Sequence, residues 1–337
     1  MMRVWDFSKK KPKEILASED FLSNREKGRV LALGYFDGVH KGHISIIQAA
    51  CEEAKKRGVL SALHTFSTVP TSKKKDIQSA ICLTTEKEKE CLLQAAGMEE
   101  ILLFPFDEEM KNMPPEAFLE KHVRDIAGAV SVVVGEDYCF GKDRIGDIDF
   151  LVKWCRENQI ELKVVSPVLE NGAAISSTRI RQTLSEGAVE EANSLLGYVV
   201  SYEGVVEKGF QIGRTLSFPT ANMCIDKEKL VPRYGVYASF FYVDGKFYKS
   251  ISNIGLRPTL ERKERTPVVE TMIYGENLDL YGKTVRVFLL SFVRPEKKFA
   301  SLEDLKEAVH QDMKTVEHHH DIGYDSFRIC DMINIYN

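Results

Sequence analysis

The chain has 337 residues, of which 44% are hydrophobic and 28% are charged, and its formal net charge is −4. This composition is typical of a globular protein with a sizeable core, and the length predicts two domains. The slightly acidic balance disfavours a general nucleic-acid binder, and no apolar run has the length of a transmembrane helix.

The number and spacing of the cysteines indicate the redox state of the cellular compartment. The seven cysteines form no Cys-x-x-Cys pair, and an odd number is a poor basis for a disulfide framework. The N-terminus is polar and basic, without the apolar stretch of a secretory signal. We therefore expect buried thiols, a cytoplasmic location and no association with membranes.

In the first half of the chain, apolar runs alternate with helical patterns. Strands are predicted at residues 29–36, 59–66, 101–106, 129–135 and 160–168. Helices are predicted at residues 44–56, 85–96, 115–126 and 147–158, the second opening on a Thr85/Glu88 capping box. Such alternation is typical of an α/β domain with a parallel sheet wrapped by helices.

The segment from Gly34 to His43 follows the first of these strands and has the character of a nucleotide phosphate site. Gly34 lets a ligand approach the backbone, and a tight turn is expected at Asp37. His40 and His43 lie three residues apart at a helix start, where unpaired N–H groups favour an anion. Two polar surface histidines or part of a zinc site are the alternatives, but no further metal ligand lies at suitable spacing.

Two later segments are predicted at the same edge of the sheet. Residues 135–141 form a glycine-bounded turn in which Asp137 and Phe140 could hold a ring or a ribose. Residues 175–181 open a helix with hydroxyls and guanidiniums, a combination that suits a triphosphate. The serines of this second segment are also natural helix N-caps, which is the purely structural alternative.

The second half is rich in β-branched and aromatic residues. Strands are predicted at residues 198–206, 235–243, 246–254, 268–274 and 283–293, with a hairpin turn at Asp244. A short helix over 190–196 precedes them, and a capped helix over 302–316 follows. This pattern predicts a small antiparallel barrel with a terminal helix. Residues 219–222, Pro-Thr-Ala-Asn, taken alone indicate a loop.

Three ordered motifs of the first half, at residues 34–43, 134–141 and 175–181, closely resemble the N-terminal half of the prokaryotic bifunctional riboflavin kinase/FAD synthetase family. The resemblance implies a Rossmann-like nucleotidyltransferase domain that adenylates FMN. It implies that the histidine pair, as catalytic groups, and the Ser-Ser-Thr-x-x-Arg turn grip the ATP phosphates. The nucleotide-binding and phosphate-binding residues in this half are then Gly34, Phe36, Asp37, Asp137, Ser177, Thr178 and Arg181.

The second half resembles the riboflavin kinase domain of the same family, through the segment 213–222 and the motifs at 235–237, 252–255, 258–259, 269–270, 279–282 and 294–296. By this resemblance Thr220 and Asn222 hold magnesium and ATP phosphate, and Glu270 is the catalytic base. A carboxylate suits the removal of a proton from a ribityl hydroxyl, and magnesium accepts hydroxyl and amide oxygens as ligands.

Together these features predict a bifunctional enzyme, with residues 1–187 as the FMN adenylyltransferase domain and residues 188–337 as the riboflavin kinase barrel. Its ligands would be riboflavin, FMN, FAD and ATP with Mg²⁺, and no nucleic acid. Two departures from the family are Ser67-Thr68-Val69, where the family usually has Asp-Pro-His, and Ser217, where it generally has Gly. A riboflavin kinase with an impaired adenylyltransferase domain and a flavin-sensing regulatory binder remain as alternatives.

Overall fold

A computed structural model of the chain describes residues 2–9, 12–68, 81–207, 220–258, 265–275 and 278–327. It divides into two compact units between Ser177 and Thr178. The predicted boundary at 187/188 lies ten residues further on and stays a prediction. Within the described ranges, no helix is both long enough and apolar enough to cross a bilayer.

The N-terminal unit is built on a six-stranded parallel sheet with strand order β1-β4-β3-β2-β5-β6. Its strands are β1 (Arg3–Asp6), β2 (Arg29–Leu33), β3 (Leu60–Phe66), β4 (Glu100–Phe104), β5 (Ala129–Gly135) and β6 (Glu161–Val165). Its helices are α1 (Pro12–Leu16), α2 (Glu19–Lys27), α3 (Lys41–Arg57), α4 (Glu86–Ala95), α5 (Glu108–Lys111), α6 (Pro115–Phe118) and α7 (Ile148–Glu157). A π-helical segment, Leu119–Ile126, extends α6, and a small hairpin joins β7 (Leu169–Glu170) to β8 (Ala173–Ala174).

The five predicted strands and the Rossmann-like architecture are confirmed. Val132, Val133 and Val134 in β5 are completely buried, as expected for a strand covered on both faces. The Thr85/Glu88 capping box is present, with Thr85 Oγ1 accepting the Glu88 N–H and a Glu88 carboxylate oxygen accepting the Thr85 N–H. Sequence reasoning missed β1, α1 and α2, because these elements are short and their hydrophobic pattern is weak.

The strand order creates a switch point at the centre of the sheet. After β2 the chain adds β3 and then β4 on one side, and it returns to add β5 and β6 on the other. The carboxyl ends of β2 and β5 are therefore neighbours, and the loops that follow them diverge to form a crevice. The segments beginning at Gly34 and Glu136 leave the sheet at this crevice.

The C-terminal unit is an antiparallel sheet with strand order β10-β13-β12-β11-β14-β9. Its elements are α8 (Ser177–Glu186), α9 (Val189–Leu196), β9 (Ser201–Val205), β10 (Thr220–Cys224), β11 (Gly235–Val243), β12 (Lys246–Pro258), β13 (Arg265–Ile273), β14 (Thr284–Pro295) and α10 (Leu302–Phe327). The Glu207 N–H donates to the Asn222 carbonyl at 2.8 Å, which brings the end strands β9 and β10 together. The sheet is thus a nearly closed barrel with a terminal helix, as predicted.

Two predictions for this unit require correction. Residues from Thr220 onward form strand β10 rather than a loop, because pairing with β13 satisfies their backbone groups and overrides the turn preference of Asn222. The terminal helix α10 extends to Phe327, well beyond residue 316. Its predicted cap is present, since Ser301 and Asp304 exchange side-chain to backbone hydrogen bonds at 3.1 and 3.2 Å.

Candidate active sites

The two histidines of the first motif lie together at the start of α3. His40 is the N-cap residue, and its Nδ1 accepts the His43 N–H at 3.2 Å. Their imidazole rings stack with a centroid separation of 3.6 Å and an interplanar angle of 14°. Because Nδ1 of His40 is an acceptor, a neutral His40 carries its proton on Nε2.

Burial sets the charge of this histidine pair. Desolvation lowers the pKa of His40 to about 4, and it lowers the pKa of His43 well below its ordinary value. The positive charge of Lys89 is a further cause of the lowered His43 pKa. Both imidazoles are therefore neutral at pH 7 and act as hydrogen-bonding groups rather than as cations. The Nδ1 atom of His43 is buried and has no partner among the described residues.

The loop that leads into the pair has an unusual backbone. Phe36 and Val39 both have positive φ angles, 57° and 36°, and both side chains are buried. A Cβ atom on Gly34 would lie 2.7 Å from the Phe36 ring, so only glycine fits there without a shift. Asp37 is buried, and its Oδ1 accepts the Leu83 N–H at 2.9 Å. These contacts pack the loop against neighbouring residues beside the helix start.

The Ser-Ser-Thr-x-x-Arg turn begins α8, as predicted. In the N-terminal unit, the Ser177 hydroxyl donates to the Asp37 carbonyl at 2.9 Å, so this serine is linked to the first motif. Thr178 is exposed in the first turn of α8, and Arg181 follows one turn later, half-buried, in the C-terminal unit.

In the turn after β5, one of the two predicted binding residues is exposed and the other is buried. Asp137 is exposed at the carboxyl end of β5, and its Oδ1 lies 3.1 Å from the position of a Cβ on Gly135. Phe140 was expected to contact a ring or a ribose. It is instead only 5% exposed and belongs to the hydrophobic core, where it stacks on Tyr138.

In the barrel, strand register assembles the second predicted cluster. Asn222 in β10 lies directly opposite Glu270 in β13, and Thr220 lies two residues earlier on the same face. The Thr220 hydroxyl donates to Oε1 of Glu270 at 2.9 Å, and Nδ2 of Asn222 donates to Thr220 Oγ1 at 3.3 Å. The three side chains predicted for the kinase reaction are therefore in contact.

A cavity of about 340 Å³ opens beside Thr220 and Glu270. Sequence reasoning missed its apolar wall, which α10 and the segment before it supply through Phe299, Leu305 and Val309. The signal available was the i, i+4 spacing of the last two residues. The volume is within the usual range for a small-molecule pocket, and the lining combines apolar side chains with Thr220, Glu270 and several charged residues.

A forked ion pair fastens this wall to the barrel. Arg294 at the end of β14 donates to both carboxylate oxygens of Asp312 in α10, at 2.7 to 3.0 Å. Asp312 is only 6% exposed, so its carboxylate is largely removed from water. Such bidentate pairs fix the relative orientation of two elements as well as contributing free energy.

The donor set of the barrel cluster suits magnesium. Thr220 and Asn222 carry a hydroxyl oxygen and an amide oxygen, and Nδ2 of Asn222 lies 3.3 Å from Thr220 Oγ1, with the Glu270 carboxylate beside them. Among the described residues there is no group of three or more His, Cys, Asp or Glu side chains that could hold a metal ion. The oxygen donors of Thr220 and Asn222 fit Mg²⁺, which commonly uses few protein oxygens and completes its coordination with water and phosphate.

Of the two departures from the family pattern, Ser67 and Thr68 lie among the described residues. The Ser67 N–H continues the edge of β3 by donating to the Phe104 carbonyl at 2.9 Å. Val69 and Ser217 lie outside the described residues.

Comparison with known proteins also divides the chain into an N-terminal and a C-terminal segment. A family model described as FAD synthetase matches residues 22–179, and one described as riboflavin kinase matches residues 196–320. Bifunctional riboflavin kinase/FMN adenylyltransferases from Listeria monocytogenes, Bacillus subtilis and Escherichia coli are 33%, 31% and 32% identical to this chain. The alignments cover 84%, 84% and 86% of this chain and 90%, 90% and 92% of those proteins.

One solved structure is similar over most of the chain. It is a crystal structure described as a macrolide-efflux protein from Streptococcus pneumoniae, with a TM-score of 0.77 and 30% sequence identity. The alignment covers 86% of this chain and 94% of the Streptococcus pneumoniae chain. This similarity supports the fold described above.

The fold and the two side-chain clusters define a two-domain nucleotide-dependent transferase, with a Rossmann-like unit followed by a kinase barrel. Both family models match in the expected order. The chain belongs to the bifunctional riboflavin kinase/FMN adenylyltransferase family.

Proposed function

We propose that the barrel phosphorylates riboflavin to FMN and that the parallel-sheet unit adenylates FMN to FAD, with ATP as the second substrate of both reactions. One observation carries this proposal. A single chain holds two separate polar clusters of different chemistry, and each lies in the segment that its own family model matches.

In the kinase reaction, the 5′-hydroxyl of riboflavin attacks the γ-phosphorus of ATP and ADP leaves. Glu270 is the base that accepts the hydroxyl proton, because its carboxylate faces the cavity and Thr220 already occupies Oε1 as a donor. The cavity wall from α10 holds the flavin ring, and the polar cluster lies at the phosphate end. Thr220 and Asn222 would hold Mg²⁺, which supplies neutralisation of phosphate charge when bound.

Replacement of Glu270 by Gln tests the role of this carboxylate as a base, since it keeps the shape and removes the proton acceptor. We expect the rate of FMN formation to fall by about 10²- to 10⁴-fold, the usual contribution of a general base. FAD formation from supplied FMN is the control and should persist. A kinase rate equal to that of the wild type would make Glu270 a structural hydrogen-bond partner of Thr220.

In the adenylyl transfer, the FMN phosphate attacks the α-phosphorus of ATP and pyrophosphate leaves, so no protein nucleophile is needed. Catalysis then consists of positioning and of stabilising negative charge. Neutral His40 and His43 offer N–H donors beside the helix start of α3, where the helix dipole also favours an anion. The Ser-Ser-Thr-x-x-Arg motif assigns Ser177, Thr178 and Arg181 to the ATP phosphates. Gly34, Phe36, Asp37 and Asp137 shape the nucleotide pocket.

A single assay separates this proposal from its alternatives. Purified protein is incubated with riboflavin, ATP and Mg²⁺, and FMN and FAD are followed by chromatography. We expect FMN to appear first and FAD afterwards. Accumulation of FMN without FAD indicates a riboflavin kinase with an impaired adenylyltransferase domain, whereas bound but unchanged riboflavin indicates a flavin-sensing binder.

We place these reactions in the cytoplasm and propose small-molecule flavins and ATP as the binding partners. Of the six cysteines with described side chains, only Cys155 is buried and the other five are partly exposed, so the expectation of buried thiols is wrong for those five. These six cysteines form no disulfide with one another, which supports a reducing compartment.

A further inference from the structure

A buried lysine on α4 contacts the adenylyl-transfer loop. Lys89 is only 7% exposed and lies on the same face of α4 as Leu92 and Leu93, which pack into the interior. Lysine is rarely buried, because its ammonium group loses favourable interactions with water. Burial accordingly lowers the pKa of Lys89, while the charge of Asp37 raises it.

The contacts of this ammonium group are backbone carbonyls. Nζ of Lys89 lies 3.4 Å from the Tyr35 carbonyl and 3.3 Å from the Phe66 carbonyl, and it lies 4.5 Å from the centre of the Tyr35 ring. Among the described residues, no carboxylate forms an ion pair with Lys89 Nζ. The Tyr35 carbonyl also accepts the Thr65 hydroxyl at 2.9 Å.

These carbonyls mark the carboxyl ends of two neighbouring strands. Phe66 is the last residue of β3, and Tyr35 lies two residues beyond β2, where the loop to His40 begins. Lys89 thus joins the strand end to the start of the loop that carries the histidine pair. Its positive charge acts on this pair, because it contributes to the lowered pKa of His43.

We propose that Lys89 is a positioning residue of the adenylyl-transfer site, where it ties Tyr35 to Phe66 and keeps a fixed positive charge behind the loop of residues 35–43. This inference rests on the proposed FMN adenylyltransferase activity. Because His40 and His43 are neutral, a fixed cation behind them favours the negative charge that develops during transfer.

Lys89→Met tests this role, because methionine has a similar length and no charge. Lys87→Met is the matched control, since Lys87 is exposed on the same helix. We expect Lys89→Met to lower the kcat of FAD formation by about 10- to 100-fold, the range seen when a residue that orients a site is removed. The KM for ATP should change less than about threefold, and FMN formation should be unchanged in both variants.

Stability distinguishes a positioning role from a packing role. Because burial lowers the pKa of Lys89, the folded protein holds the charged ammonium less favourably than the unfolded chain does, and an uncharged side chain of similar length removes this cost. Both tryptophans, Trp5 and Trp154, lie in the N-terminal unit, so their fluorescence reports urea unfolding of that unit. We expect the unfolding midpoint of Lys89→Met to equal or exceed that of the wild type. Wild-type kcat in this variant, or a reduced kcat together with a lower midpoint, would overturn the proposal.

Hydrogen exchange gives a readout that does not need activity. Amides of residues 35–43 should exchange at least about threefold faster in Lys89→Met than in the wild type, while those of β4 should not change. Unchanged exchange in this loop would overturn the proposed tie. If the wild-type protein makes no FAD, the proposed function fails in that arm of the assay, and the exchange experiment still decides whether Lys89 holds the loop.

Discussion

We assign His43 to only one of the two proposed reactions. Its ring stacks on His40 at the start of α3, whereas the kinase cluster lies on β10 and β13 of the other unit. We expect His43→Ala to lower FAD formation by at least about 10²- to 10³-fold, the effect of removing a donor to a transition-state anion. FMN formation, measured in the same sample, should stay at the wild-type rate. Loss of both activities would contradict the assignment of His43 to adenylyl transfer.

A second histidine pair lies within the core of the N-terminal unit. His64 Nε2 and His122 Nδ1 are 3.2 Å apart, among the rings of Phe104 and Phe118. Burial lowers the pKa of both histidines, that of His122 to about 4. Neither imidazole is protonated in the folded protein at neutral pH.

This burial makes the stability of the N-terminal unit depend on pH. Below the unfolded-state pKa of about 6.5, the unfolded chain binds protons that the folded protein excludes. The free energy of unfolding therefore decreases as the pH falls from about 6.5 towards 4, by up to about 1.4 kcal/mol per pH unit for each such histidine. We expect His122→Leu to reduce the slope of the unfolding free energy against pH by up to about 1.4 kcal/mol per pH unit, which corresponds to one proton.

Urea unfolding at several pH values, followed by tryptophan fluorescence, measures this slope. His40 and His43 also have lowered pKa values, so part of the dependence should remain in the variant. An unchanged slope in His122→Leu would show that this imidazole does not contribute.

At the level of elements, the forked pair between Arg294 and Asp312 joins α10 to β14 beside the proposed flavin cavity. Asp312→Asn removes the charge and one of the two acceptor oxygens, so α10 should be held less firmly and the cavity wall should be less ordered. We expect the KM for riboflavin to rise by roughly tenfold, equivalent to about 1.4 kcal/mol of binding free energy.

Steady-state kinetics of FMN formation measure this effect. Glu307→Gln, an exposed neutralisation on the same helix, should leave the KM for riboflavin unchanged. FAD formation from FMN should be unaffected in both variants. Equal values of KM for Asp312→Asn and the wild type would mean that the apolar contacts of α10 suffice.

For the whole molecule, the sequence predicts that a fragment beginning near Glu190 folds and phosphorylates riboflavin. In the structure, the C-terminal unit begins earlier and includes α8. The Arg233 N–H and guanidinium donate to the Leu184 and Glu186 carbonyls of α8, at 2.9 and 3.1 Å. These bonds are absent from the shorter fragment.

We therefore expect residues 178–337 and residues 190–337 both to form FMN, with the longer fragment more stable by about 1 to 3 kcal/mol. Chemical denaturation of the two fragments and the kinase assay measure these properties. If the longer fragment is unfolded while the full chain is folded, the prediction that the two units have independent hydrophobic cores is wrong. Equal stability would place α8 outside the kinase core.

The sequence by itself determined the two-part architecture and supplied the candidate residues for both proposed sites. Alternating strand and helix patterns predict a parallel sheet, because each element must bury an apolar face against the next. The segments around His40 and Thr220 were recognised because their residue types and order are local properties of the chain. The capping box at Thr85 and the helix cap at Ser301 were predicted for the same reason.

Tertiary structure alone decided the features that depend on distant parts of the chain. The pairing of β10 with β13 made Thr220 and Asn222 strand residues and placed them against Glu270, about 50 residues away. Packing assigned Phe140 to the core and brought Lys89 to the Tyr35 carbonyl. Burial, cross-strand register and the neutral state of His43 arise from contacts between elements, and a local pattern carries no information about such contacts.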